Sequence, residues 1–125
     1  MIEIYDEQIA RFRESTVCLL HALRFRVHLV GYSHLLMLIP CYALDNTLSL
    51  TKELYPYAAN RLGYASWSPI EHAVRVSILD AWSRRDPGLW DRYFPGQKKP
   101  PSNKHFLATL AELIKNPPPG SGRGM

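Results

Sequence analysis

The sequence predicts an all-α fold, a compact domain of about six helices that contains a helix-turn-helix. Three observations carry this. Apolar residues recur at helical period in several separate segments. No segment sustains the period-2 alternation of a half-buried strand. The segments are bounded by Ser, Asp, Pro and Gly at positions that start and stop helices.

Taken in order, the first helix is expected from Asp6 to about Leu23, with Ile9, Phe12, Val17, Leu20 and Leu23 along one face. The second starts near Gly31 and carries Leu35, Leu36, Leu38 and Ile39, and Pro40 is expected to kink or end it. Asp45 or Thr47 is placed to cap a third helix that includes Leu50 and Leu54. Pro56 suits the first turn of a short helix through Ala58, Ala59 and Leu62, and Gly63 supplies the left-handed residue that ends it. Ser68, Pro69 and Glu71 then form a start signal, in which Ser68 caps the Glu71 N–H and the Glu71 carboxylate reaches back. From there Ile70, Ala73, Val74, Ser77, Ile78, Ala81 and Trp82 make one apolar face, opposite His72, Arg75, Val76, Leu79 and Ser83. Asp86-Pro87 opens a short helix through Leu89, Trp90 and Tyr93. A loop from Pro95 to Pro101 comes next, and Ser102 caps a last helix with Phe106, Leu107, Leu110, Leu113 and Ile114 on one face.

Composition bounds the function. The 125 residues suffice for one core, and 46% hydrophobic content excludes global disorder. Residues 1–46 hold four Arg against five acids, whereas residues 47–125 hold eleven Lys or Arg against six acids. The basic excess thus lies with the helix-turn-helix and the residues after it, as a polyanion-binding half requires. Cys18 and Cys41 sit in apolar runs and are expected to be buried thiols in a reducing cytosol. His21, His28 and His34 match no zinc spacing and are taken as structural, so no metal or cofactor is expected. The N-terminus is acidic and polar, unlike a signal peptide. Arg24, Arg26, His28, Gly31 and Pro40 interrupt the Leu-rich run from Val17 to Leu44, so no membrane span is expected. No convergent set of nucleophile, base and oxyanion donors is present, which argues against an enzyme.

A short helix, a Gly turn and a longer half-buried helix are what a helix-turn-helix DNA reader needs. They also occur in helical hairpins that only pack. A resemblance separates the two readings. His28-Leu-Val-Gly-Tyr-Ser-His-Leu35, Leu50-Thr-Lys-Glu-Leu-Tyr-Pro56 and Ala81-Trp-Ser-Arg84 resemble, in the same order, the C-terminal effector domain of the stage-zero sporulation protein A family. The similarity covers about residues 17–115. It implies a bacterial, cytoplasmic, sequence-specific regulator of transcription whose partner is double-stranded DNA. Residues 1–16 are then the N-terminal part of the first helix, and 116–125, rich in Pro, Gly and Ser, a flexible tail. The family's receiver cannot fit into sixteen residues, so the chain is expected to be a stand-alone paralogue or a fragment.

The N-terminal part of the second helix of such a motif enters the major groove. The base-reading candidates are therefore Ser68, Glu71, His72, Arg75 and Val76. Arg75 matches guanine O6 and N7, although it also stands at i+4 from Glu71, where it can pair instead. Glu71 can accept from cytosine N4 or simply close the capping box; the resemblance implies a base-facing role. His72 stands where the family usually has Arg, and Val76 where it has a polar residue, which implies a shifted sequence preference. Val76 suits a thymine methyl. Lys52, Arg61, Arg84, Arg85, Lys98, Lys99 and Lys104 are the phosphate candidates. Trp82 is expected in the core. The resemblance also implies head-to-tail self-association on tandem sites, and an approach of residues 86–94 to the RNA polymerase sigma subunit. The alternative is a protein-interaction module that docks to a sigma factor or a full-length paralogue without binding DNA.

Overall fold

The computed structural model describes residues 2–117, and among them it contains six α-helices and no strand. The expected tail lies, beyond Pro117, outside the described residues. Helix α1 spans Ile2–Ala22 and so starts before the expected Asp6, because no Pro or Gly interrupts the preceding residues. It ends in a Schellman arrangement: the Phe25 N–H donates to the Leu20 carbonyl at 2.9 Å and the Arg24 N–H to that of His21 at 3.0 Å. The left-handed position usually taken by Gly belongs here to Arg24, with φ 68°.

Helix α2, Val30–Leu44, is central and packs on α1 and on three helices from later in the chain. Pro40 does not end it. The lost hydrogen bond and ring clash cost about 3 kcal/mol in a helix interior. Continuing the helix buries Tyr42 and Ala43 to 6% and 2% exposure, which outweighs that local cost.

The expected cap of the next helix is also corrected. Asp45 accepts from the N–H and hydroxyl of Thr47, closing a local turn. Ser49 is the cap: its hydroxyl accepts from the Lys52 N–H at 3.2 Å, and Glu53 accepts from the Ser49 N–H at 2.7 Å. The first turn, Leu50–Leu54, is π-helical and runs without a break into α3, Tyr55–Leu62. The two helices expected here are therefore one. Pro56, with no N–H to give, stands near the handover between the two hydrogen-bonding patterns.

Gly63 ends α3 at φ 79°, and the Tyr64 N–H reaches back to the Ala59 carbonyl at 2.9 Å, as the sequence predicts. Helix α4 spans Ser68–Ser83. Its expected capping box does not form: Ser68 is already helical, and the Trp67 carbonyl accepts from Ile70 and Glu71. Trp67 stacks on Tyr55, ring centroids 5.6 Å apart, and this packing fixes the start of α4 one residue earlier.

Asp86 caps α5, Pro87–Tyr93, through the Gly88 N–H at 3.2 Å, and Ser102 caps α6, Asn103–Lys115, through that of His105 at 3.0 Å. Phe106, Leu107, Leu110 and Ile114 bury the inner face of α6. Phe25, Trp90, Phe94 and Phe106 stack into one aromatic cluster that binds α5 to the body. Trp82 is half-buried with its ring edge-on to Trp90 at 5.6 Å. The cysteines are not both buried: Cys18 is exposed and Cys41 half-buried. Cys18 stands beside the inward stripe of Thr16, Leu20 and Leu23, and hydrophobic neighbours in sequence do not reveal that offset.

Candidate nucleic-acid interface

Helix α4 is seated by its apolar stripe. Ile70, Val74, Ser77, Ile78 and Ala81 are buried, as the sequence periodicity predicts. Gly31 of α2 lies so close that a Cβ there would stand 2.2 Å from the Ala73 carbonyl oxygen and 2.4 Å from Ser77 Oγ. Only a residue without a side chain permits that approach. The opposite side of α4 is left open: Ser68, Glu71, His72, Val76, Leu79 and Ser83 are exposed along it, and Arg75 is half-buried.

Ser68, Glu71, His72 and Arg75 line one broad groove of about 1100 Å³, with Lys104 on its far wall. Val76 lies outside that lining. Arg75 Nη1 donates to the Pro101 carbonyl at 2.6 Å, so the guanidinium is held toward the loop before α6. One such bond occupies a single donor of five, and the rest of the fork remains for a planar acceptor pair. The Arg75–Glu71 pairing is not among the ion pairs of the described residues. With the capping box unformed, the Glu71 carboxylate is exposed at the first turn of α4.

Two residues outside the candidate set brace this end of α4: Asn103, which sequence reasoning missed, and His34, which it took as structural. Asn103 donates to the Glu71 carbonyl at 3.1 Å and to the Tyr55 hydroxyl at 3.2 Å, tying α6 to α3 and α4. Burial pushes the Tyr55 hydroxyl pKa up, with the Asn103 bond opposing. His34, buried in α2, stands edge-on to Tyr64 in the turn of the helix-turn-helix, with Nε2 3.5 Å from the hydroxyl. The sequence held one usable signal, the Asn directly after a capping Ser, and none for the His–Tyr contact.

The phosphate candidates divide into two groups. Lys52, Lys98, Lys99 and Lys104 are exposed, and Arg61 is exposed with its guanidinium 5.5 Å from the Tyr57 ring centre. Arg84 and Arg85, at the far end of α4, have partners within the fold. Arg84 donates to Asp80 at 2.8 Å and to the Arg24 carbonyl, and Arg85 lies 3.8 Å over the Trp82 ring. Arg26 also pairs with Asp80 at 3.2 Å. The hydrogen bond from Arg84, reinforced by the charges of Arg84, Arg26 and His28, holds the Asp80 carboxyl below its usual range.

Among the described residues no His, Cys, Asp or Glu cluster could hold a metal ion, and no helix is long and apolar enough to cross a membrane. Residues 16–114 match the family described as sporulation initiation factor Spo0A C terminal. That family is a DNA-binding regulatory domain and not an enzymatic one. The match spans most of the chain and includes every helix that seats α4, so the protein belongs to the sporulation initiation factor Spo0A C-terminal family.

Proposed function

We propose that this chain is a sequence-specific DNA-binding transcription regulator that lays α4 in the major groove, its N-terminal half foremost. The observation that carries the reading is the two-sidedness of α4. One stripe is locked onto α2 by the Gly31 approach, and the other presents Glu71 and His72 beside Ser68 and Arg75. A rigidly seated helix with an open polar stripe at its N-terminal end is what base reading requires. Glu71 and Arg75 stand one turn apart on that stripe, as an acceptor and a forked donor suited to cytosine N4 and guanine O6/N7. The exposed Lys98, Lys99 and Lys104 come next on the loop and first turn of α6, where they meet phosphates. Arg84 and Arg85 are weaker phosphate contacts on this reading, since each already has a partner within the fold.

Binding by neighbouring copies on tandem sites, and contact of α5 with a polymerase sigma subunit, follow from family membership as further expectations. The cytoplasm, with its nucleoid, is where such a regulator works. The test is selection of bound sequences from a random duplex pool, followed by a salt titration on the winner. A selected sequence should emerge, and log K should fall by about 0.9 per phosphate neutralised for each unit of log salt. A pool that stays random, with a flat salt response, would favour a module that docks to other proteins.

A further inference from the structure

The exposed stripe of α4 is not wholly polar. Val76 and Leu79 are 40% and 41% exposed, and they share the stripe with His72 and Arg75. Residues 72, 75, 76 and 79 follow the i, i+3, i+4, i+7 spacing with which a helix lying along the major groove presents side chains to bases. Isolated exposed apolar residues are ordinary on any surface. Here two stand one turn apart on the face turned away from the buried stripe of Ile70, Val74, Ser77, Ile78 and Ala81. Folding does not explain them.

We propose that Val76 and Leu79 read thymine C5-methyl groups, an inference that rests on the placement of α4 in the major groove. The thymine methyl is the apolar group that the unmodified bases present there. Leu79 stands about 4.5 Å farther along the helix axis than Val76. Base pairs succeed one another about every 3.4 Å. The two side chains therefore address methyls one or two steps apart, on the side of the Arg75 contact away from Ser68. The preferred duplex carries a pair of closely spaced thymines at that place, and Val76 and Leu79 set part of the specificity.

The experiment uses the full chain and the duplex selected from the random pool, with each thymine replaced in turn by deoxyuridine. This removes one methyl and leaves every hydrogen-bonding group. Binding should weaken about three- to fivefold at one or two closely spaced positions, the weight of one buried methyl each. Leu79→Ala should bind the thymine and uracil duplexes equally at its own position and keep the wild-type response at the other. Val76→Ala should do the converse. Both sites are exposed on a helix and Ala is a strong helix former, so the variants should fold.

A selected sequence bound equally with and without every methyl would overturn the proposal while leaving the groove placement intact. Equal weakening of thymine and uracil duplexes by Leu79→Ala would also overturn it, since the leucine's contribution would then be independent of the methyl. Sensitivity to cytosine methylation alone would remove the assignment to thymine. Failure to select any sequence would remove the groove placement and this inference together.

Discussion

Gly31 and Ala73 are in backbone contact across the α2–α4 junction: any Cβ at position 31 would overlap the Ala73 carbonyl. This contact sets how deep α4 sits on the body. It thereby sets how far the opposite stripe, with His72 and Leu79, projects. Ser77 Oγ crowds the same space, but a hydroxyl can turn aside and a helical carbonyl cannot.

Gly31→Ala should therefore be strongly destabilising. Helix propensity alone favours Ala over Gly by about 1 kcal/mol. Overpacking a tight core against rigid atoms typically costs about 1–3 kcal/mol. A 2.2 Å approach to backbone belongs at or above the top of that range. Clash wins. Urea melts should show a large drop in midpoint, and adding Ser77→Ala should not restore it. An unchanged midpoint for the single variant would contradict the close approach.

Arg24 and Arg84 exchange hydrogen bonds, each guanidinium donating to the other's backbone carbonyl. Arg24 holds this position at φ 68°. That region costs an L-residue roughly 1–2 kcal/mol. Arg24→Ala loses the bond that the Arg24 guanidinium donates and keeps the strain. Arg24→Gly loses the same bond and releases the strain, and the position-24 carbonyl still accepts from Arg84 in both. The Gly variant should be the more stable of the two by about 1 kcal/mol. Thermal melts of both decide it, and equal stability would deny strain at Arg24.

Arg75→Ala should cost about 1–3 kcal/mol on the selected duplex and relax preference at one base position. Lys98→Ala should weaken all duplexes alike and reduce the salt slope by about one phosphate. Arg75 also holds the Pro101 carbonyl, so a melt of the variant must accompany the binding data. Unchanged preference in a folded Arg75→Ala protein would sink the base-reading role.

His34 predicts a pH dependence of stability. Burial lowers its pKa, and Nδ1 has no hydrogen-bond partner among the described residues. As pH falls below about 6.5, the unfolded chain takes up the proton first, so stability present at neutral pH is lost as pH falls through the folded value. Urea midpoints should drop between pH 7.5 and pH 5, and His34→Gln should flatten that part of the curve. The same slope in both proteins would exclude His34 as its source.

Features that depend on near neighbours were legible from the residues alone. The caps at Asp86 and Ser102, the left-handed Gly63 and the apolar stripes of α4 and α6 are interactions within a turn or two, and each stands where the residues place it. The ordered segments from His28 to Arg84 likewise identified the family now matched over residues 16–114. Long-range packing governs the rest. Burial carries α2 through Pro40, a π-turn merges two expected helices, and the Tyr55–Trp67 stack moves the start of α4, releasing Glu71 from its cap. Arg75 meets a carbonyl 26 residues away, Asn103 a hydroxyl 48 away, and Arg24 and Arg84 meet across 60. Helical periodicity is a local rule, set by bonds between residues four apart. It tells which face of a helix turns inward, but not which partner waits there, because that depends on how every helix packs at once.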